Sequence, residues 1–145
     1  MAAPLAGLVT RAEARDYTSA GEVFAEIDRL EADLDARLAS LAARFPAAAA
    51  FARSVRGDHE RHRRSRAALR RRLRLGEAGP AAVTGGPTSV DALRALVQDL
   101  VHAHAEGMPA LRDARAVDAL ARAMVDDARH LAVLQMWMET EEPGA

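Results

Sequence analysis

Histidine carries most of the chemical potential of this sequence, and all five copies, His59, His62, His102, His104 and His130, come after residue 58. There is no cysteine. Disulfides, thiolate metal sites, iron–sulfur clusters and cysteine nucleophiles are therefore excluded, and any metal must be held by nitrogen and oxygen. His59 with His62, and Asp127 with His130, stand three residues apart, so on a helix each pair can aim two ligands at one point. Imidazole with carboxylate suits iron, zinc, manganese, copper or nickel better than magnesium or calcium. Glu31, His104 and Glu106 can complete such a shell, although only one of His102 and His104 can face inward. A lone inward histidine is ordinarily a hydrogen-bonded core residue. Asp127 says more, because a carboxylate on an inner face needs a partner, and a metal, His130 or Arg66 could each serve.

These residues must be placed by helices. Ser19 and Glu22 have capping-box spacing, and Val23, Ile27, Leu30, Leu34, Leu38, Leu41 and Phe45 follow at three- and four-residue steps, predicting a helix over 19–44. Pro46 suits the start of the next, over 47–75, whose inner face runs Ala48, Ala52, Val55, His59, His62, Arg66, Leu69 and Leu73 to a stop at Gly76. Gly57 inside it reads either as simple tolerance or as a place of close backbone approach. The Gly- and Pro-rich stretch 76–87 is a linker long enough for a crossover across the end of a bundle. Thr88 or Ser89 can cap a helix over 89–112, which Gly107 and Pro109 threaten with a kink or an early end. Asp113 is the preferred start of the last helix, over 114–140, with Pro109 as an alternative start; its inner face is Val117, Leu120, Met124, Asp127, Leu131, Leu134 and Met138. Residues 1–18, with a short turn between Thr10 and Glu13, read as a loosely docked leader, and Pro143 ends the chain.

Four long helices with two short connections pack most simply as an all-α, antiparallel four-helix bundle over residues 19–141. Glu31 and His59 then lie about fourteen residues either side of the first connection, roughly 20 Å along each helix. The remaining histidines and Asp127 fall near the same level.

Composition agrees with one helical domain. Of 145 residues half are apolar, only 3% are aromatic and isoleucine occurs once, a vocabulary that favours helices over strands. No stretch approaches membrane-spanning length, and the chain reads as cytoplasmic. Net charge is −1, so any electrostatic function must be local. Between Arg61 and Arg74 eight of fourteen residues are arginine. That run could bind phosphate or an acidic partner, but the first helix carries Glu22, Glu26, Asp28, Glu31, Asp33 and Asp35, and pairing within the chain is the simpler account. Nucleic acid is disfavoured for want of stacking aromatics or base-reading residues. No phosphate loop, nucleophile elbow or zinc-protease signature is present.

From Ser19 to Glu141 the chain resembles the ferritin-like superfamily. Asp127-Ala128-Arg129-His130, followed by Leu131 and Leu134, resembles its fourth-helix acid-x-x-His motif with aspartate in place of glutamate. Asp58-His59-Glu60-Arg61-His62, running through Leu69 and Leu73 to Leu75-Gly76-Glu77, is similar to the second-helix motif and its ending. A bacterial ferritin-like domain family of unknown activity shares the His- and Arg-rich second helix and a late tryptophan, here Trp137. The chain departs from the pattern at His59, where an acid is expected, and at Gln98, where a glutamate is expected. What remains fits one metal ion better than two. The resemblance implies a metal-binding bundle using His59, His62, Asp127 and His130, with His104 and Glu31 as further candidates, that takes iron, zinc or manganese as a metal-dependent oxidoreductase or iron-handling protein. The other reading is a non-catalytic helical interaction protein, whose Arg-rich second helix contacts an acidic partner or a second copy of the chain.

Overall fold

The computed structural model describes residues 17–80 and 88–141, which form four helices and no strand. The expected turn near Thr10 and Glu13 and the stop at Pro143 lie outside the described residues. Helix α1 spans Ala20–Arg44, α2 Ala49–Arg72, α3 Val90–Leu111 and α4 Ala114–Glu141. Ser19 caps α1 by accepting from the Glu22 amide, while the Glu22 carboxylate turns outward to the Thr18 hydroxyl and amide. A 3₁₀ turn, Pro46–Ala48, leads into α2. Ser89 caps α3 through the Ala92 amide, and Asp113 caps α4 through the Ala116 amide. Each cap satisfies a backbone donor that a helix start leaves open.

Helix α3 runs through Pro109 and ends at Arg112, which takes a left-handed φ of 53°. The predicted early end does not occur. Pro109 and Ala105, whose carbonyl loses its intrahelical donor, are both exposed, so water can take the freed acceptor within the last turn.

Each helix touches two neighbours: α1 and α4 both pack on α2 and α3, while the pairs α1–α4 and α2–α3 lie on the diagonals. Directions follow from side chains at the ends. Arg44 at the end of α1 donates to the Thr88 carbonyl at the start of α3, and Arg72 at the end of α2 reaches Asp113 at the start of α4. All adjacent helices are therefore antiparallel, and the diagonal α2 and α3 run parallel. The end of α2 and the start of α3 therefore lie at opposite ends of the bundle, so the crossover across one end that the linker's length permits is not the one that joins them. A path of roughly 36 Å, the length of α2 at 1.5 Å per residue, is within reach of a chain segment of that size.

Two apolar layers enclose a polar one. Val23, Phe24, Ile27, Leu69 and Leu120 fill one end, and Leu34, Leu38, Val55, Leu93 and Leu134 the other, all buried. Between them sit Glu31, His59, His62, His104, Asp127 and His130, none more than 6% exposed. Mid-helix residues reach mid-height whichever way a helix runs, so the level survives the change in topology.

The two interior glycines differ. A Cβ on Gly107 would stand 2.5 Å from Val23 Cγ1, where α3 presses on α1, whereas a Cβ on Gly57 meets nothing within 4 Å. Close approach is thus the property of Gly107, and Gly57 is tolerance. Gly57→Ala is expected to stabilise by about 0.5–1 kcal/mol and Gly107→Ala to destabilise by about 1–3 kcal/mol. Urea denaturation checks both, and equal effects of one sign would contradict the packing described.

Candidate metal centre

The three-residue spacing on α2 and on α4 places His59 and His130 on facing surfaces of adjacent helices, with Asp127 one turn from His130. One ligand atom each from His59, Asp127 and His130 lies within 4.8 Å of the others. Ligands held tetrahedrally at about 2.0–2.2 Å from an ion sit roughly 3.4 Å apart, so side-chain adjustment of an ångström or so closes the group.

What distinguishes these residues is that each has a buried polar atom without a partner. The buried side-chain atoms without a hydrogen-bond partner include His59 Nε2, His104 Nε2, His130 Nδ1 and both oxygens of Asp127. Buried polar atoms are ordinarily satisfied, and here several unsatisfied ones share one layer. Meanwhile the opposite nitrogen of each ring is fixed. His59 donates from Nδ1 to Asp35 Oδ1 at 2.8 Å, and His130 from Nε2 to Asp58 Oδ2 at 2.7 Å. His104 donates from Nδ1 to the Leu100 carbonyl at 2.7 Å. Each acceptor holds the proton on the outer nitrogen and leaves a lone pair on the inner one, the way metal-binding histidines are oriented. Phe51 packs edge-on against His130 and Trp137.

Asp127 is fully buried. Burial, reinforced by the negative charge of Glu31, raises its carboxyl well above the usual carboxylate range. His130 Nδ1 is 3.8 Å from it, and His104 Nδ1 is 3.2 Å away. The shorter approach is no salt bridge, because that proton goes to Leu100 and burial lowers His104 to about 4, leaving it neutral at pH 7. Burial also lowers His130. Neither histidine neutralises Asp127, and Arg66 pairs elsewhere.

Glu31 and His62, candidates from the sequence, are engaged differently. His62 faces Glu31 Oε2 at 3.1 Å through Nδ1 and Asp126 Oδ2 at 2.8 Å through Nε2. Burial opposes charge on His62, but these two carboxylates outweigh it and raise its pKa. A ring donating from both nitrogens has no lone pair for a metal. Glu31 accepts from Arg66 with both oxygens. Burial would raise its carboxyl, yet the His62 hydrogen bond and the Arg66 charge hold it at about 2. His104 lies in the same layer with a free lone pair but outside the three-residue group, and His102 is only half-buried. The expected six-residue set thus divides into His59, Asp127 and His130, an adjacent ionic network of Glu31 and His62, and His104 between them.

The arginine run of α2 is spent largely on its neighbours. Arg63 reaches Asp35 at 3.3 Å, Arg66 reaches Asp28 and Glu31, Arg70 reaches Asp28 at 2.7 Å, and Arg61 bonds to Asp58. No described helix is long and apolar enough to cross a membrane. Sequence reasoning missed Asp35 and Asp126 as partners of the histidines; their one signal is position, four residues beyond Glu31 and one before Asp127.

Neither a family model, nor a curated protein, nor a solved structure matches this chain.

Proposed function

We propose that this chain is a metal-binding bundle of ferritin-like type, in which His59, Asp127 and His130 hold a divalent transition-metal ion. One observation carries the reading: two imidazoles and a carboxylate each bring a ligand atom within 4.8 Å of the others, and each of the three residues has a buried atom without a hydrogen-bond partner while neighbouring acceptors fix the other ring nitrogens. Without a cation, Asp127 would be a buried carboxyl costing several kcal/mol in its charged form. The single long crossover between diagonal helices supports the ferritin-like resemblance. Two histidines and one carboxylate leave coordination positions open, a donor set suited to iron(II), manganese or zinc, and such an ion supplies Lewis-acid or, for iron and manganese, one-electron chemistry. Asp35 and Asp58 orient the rings, and the apolar layers exclude bulk water. A metal-dependent oxidoreductase or iron-handling role is what the ferritin-like resemblance adds to that donor set.

Elemental analysis of untagged protein purified without chelator tests the reading. Metal retained by the native chain and lost in a His59→Ala/His130→Ala variant supports it; equal, near-zero metal in both rejects it, provided ions offered afterwards also fail to bind. Asp35→Asn and Asp58→Asn are each expected to weaken cobalt(II) binding by roughly 10–100-fold with the helices intact. Unchanged cobalt titrations would show that the two aspartates do not orient ligands.

A further inference from the structure

We infer that Arg66 acts as a fixed organic cation beside the His59–Asp127–His130 group, filling the position that Glu31, His62 and His104 would otherwise offer to a second metal ion, and so limits the chain to one. The inference rests on the metal reading above. Glu31 is fully buried and Arg66 is 3% exposed. The guanidinium is held in place by Glu31 on one side and by Asp28, 2.8 Å from Nε, on the other. The second carboxylate of the polar layer is therefore already neutralised, as Asp127 is not.

The donors around this cation are close to the first group. The His59 and His62 rings are 5.9 Å apart, and His104 Nδ1 is 3.2 Å from Asp127 Oδ2. His104 Nε2 is buried without a partner, and its ring lines a cavity of about 150 Å³ together with His62 and Arg66. Remove the guanidinium, and the Glu31 carboxylate loses its partner 3.1 Å from His62, an imidazole that can release a proton and that lines one cavity with His104, an imidazole with a free lone pair. That is a metal-ligand set of nitrogen and oxygen. With the guanidinium present, a dication entering there meets a fixed positive charge and finds both Glu31 oxygens occupied. Arginine suits this task better than a metal-competent residue because it stays protonated and its planar fork matches a carboxylate.

Cobalt(II) titration followed by visible absorption and equilibrium dialysis tests this, with the His59→Ala/His130→Ala variant giving the background. Native protein is expected to bind one ion above that background, Arg66→Lys one, and Arg66→Ala two, the second lost again in Arg66→Ala/His104→Ala. Two ions on the native chain, or one on an Arg66→Ala variant that keeps its helical circular dichroism, would overturn the inference while leaving the metal reading in place. No ion on the native chain removes both. Should Arg66→Ala fail to fold, Arg66→Gln, which withdraws the charge and keeps most of the side-chain volume, takes its place: a second ion supports the inference and a single ion overturns it.

Discussion

Asp127→Asn is expected to stabilise the metal-free protein at pH 7 and to abolish its stabilisation by metal. In the unfolded chain an aspartate titrates near 3.9; in the fold, burial and the Glu31 charge raise Asp127 well above that. Between the two values the folded state holds a proton that the unfolded state has lost, so stability falls as pH rises from about 4 to the folded pKa and is level above it. Asparagine carries no such proton. The difference in unfolding free energy between variant and wild type, measured in urea with chelator present, should be small near pH 4 and reach on the order of 1–2 kcal/mol at pH 7, the scale of one badly satisfied buried group. Using the difference cancels most of the histidine contribution. Metal reverses the order. At a hundredfold excess over the dissociation constant, an ion adds about 2.7 kcal/mol to the wild type, roughly 8–10 °C in Tm for a domain of this size, and nothing comparable to the variant. A variant that is less stable without metal, or that gains as much from it, would remove Asp127 from the centre.

Helix identity was legible because apolar side chains recur at helical steps and the caps are spelled out by Ser19, Ser89 and Asp113. The predicted spans 19–44, 47–75, 89–112 and 114–140 differ from the observed helices by three residues at most. The path of the connection was not legible. A Gly- and Pro-rich linker between α2 and α3 serves either topology, and the choice shows only in contacts such as Arg44 with Thr88 and Val23 with Gly107. The polar layer was legible as a level, yet not as a ligand set. Spacing makes His59 and His62 equivalent, and what separates them is which acceptors meet each ring. Asp35 takes one nitrogen of His59, whereas Glu31 and Asp126 take both of His62. Those carboxylates come from α1 and α4, so their meeting with α2 depends on helix rotation, which periodicity fixes only to within a face. Asp127 was the exception, since an acid in the middle of an apolar stripe announces an unmet need from the sequence alone.

Glu31→Gln should do the opposite of Asp127→Asn, although the two carboxylates share one layer. Glu31 is held at about 2 by His62 and Arg66 against the pull of burial, so it binds fewer protons in the fold than unfolded between that value and its ordinary 4.5. Its contribution is present above pH 4.5 and is lost as pH falls toward 2. The shift corresponds to about 3 kcal/mol, within the range of roughly 3–5 kcal/mol for removing one member of a buried ion pair. Glu31→Gln is therefore expected to cost about that much at pH 7, with the gap to wild type narrowing as both are taken below pH 4. The loss comes from the partner left behind: Arg66 remains buried with Asp28 alone. A Glu31→Leu/Arg66→Met variant, which withdraws both charges, should recover most of it. Cobalt binding separates this residue from the ligands, because Glu31→Gln should weaken it by less than the roughly tenfold expected where a ligand-orienting partner is lost. A Glu31→Gln protein as stable as wild type at pH 7, or one that loses cobalt as His59→Ala/His130→Ala does, would mean that Glu31 serves the metal and not Arg66.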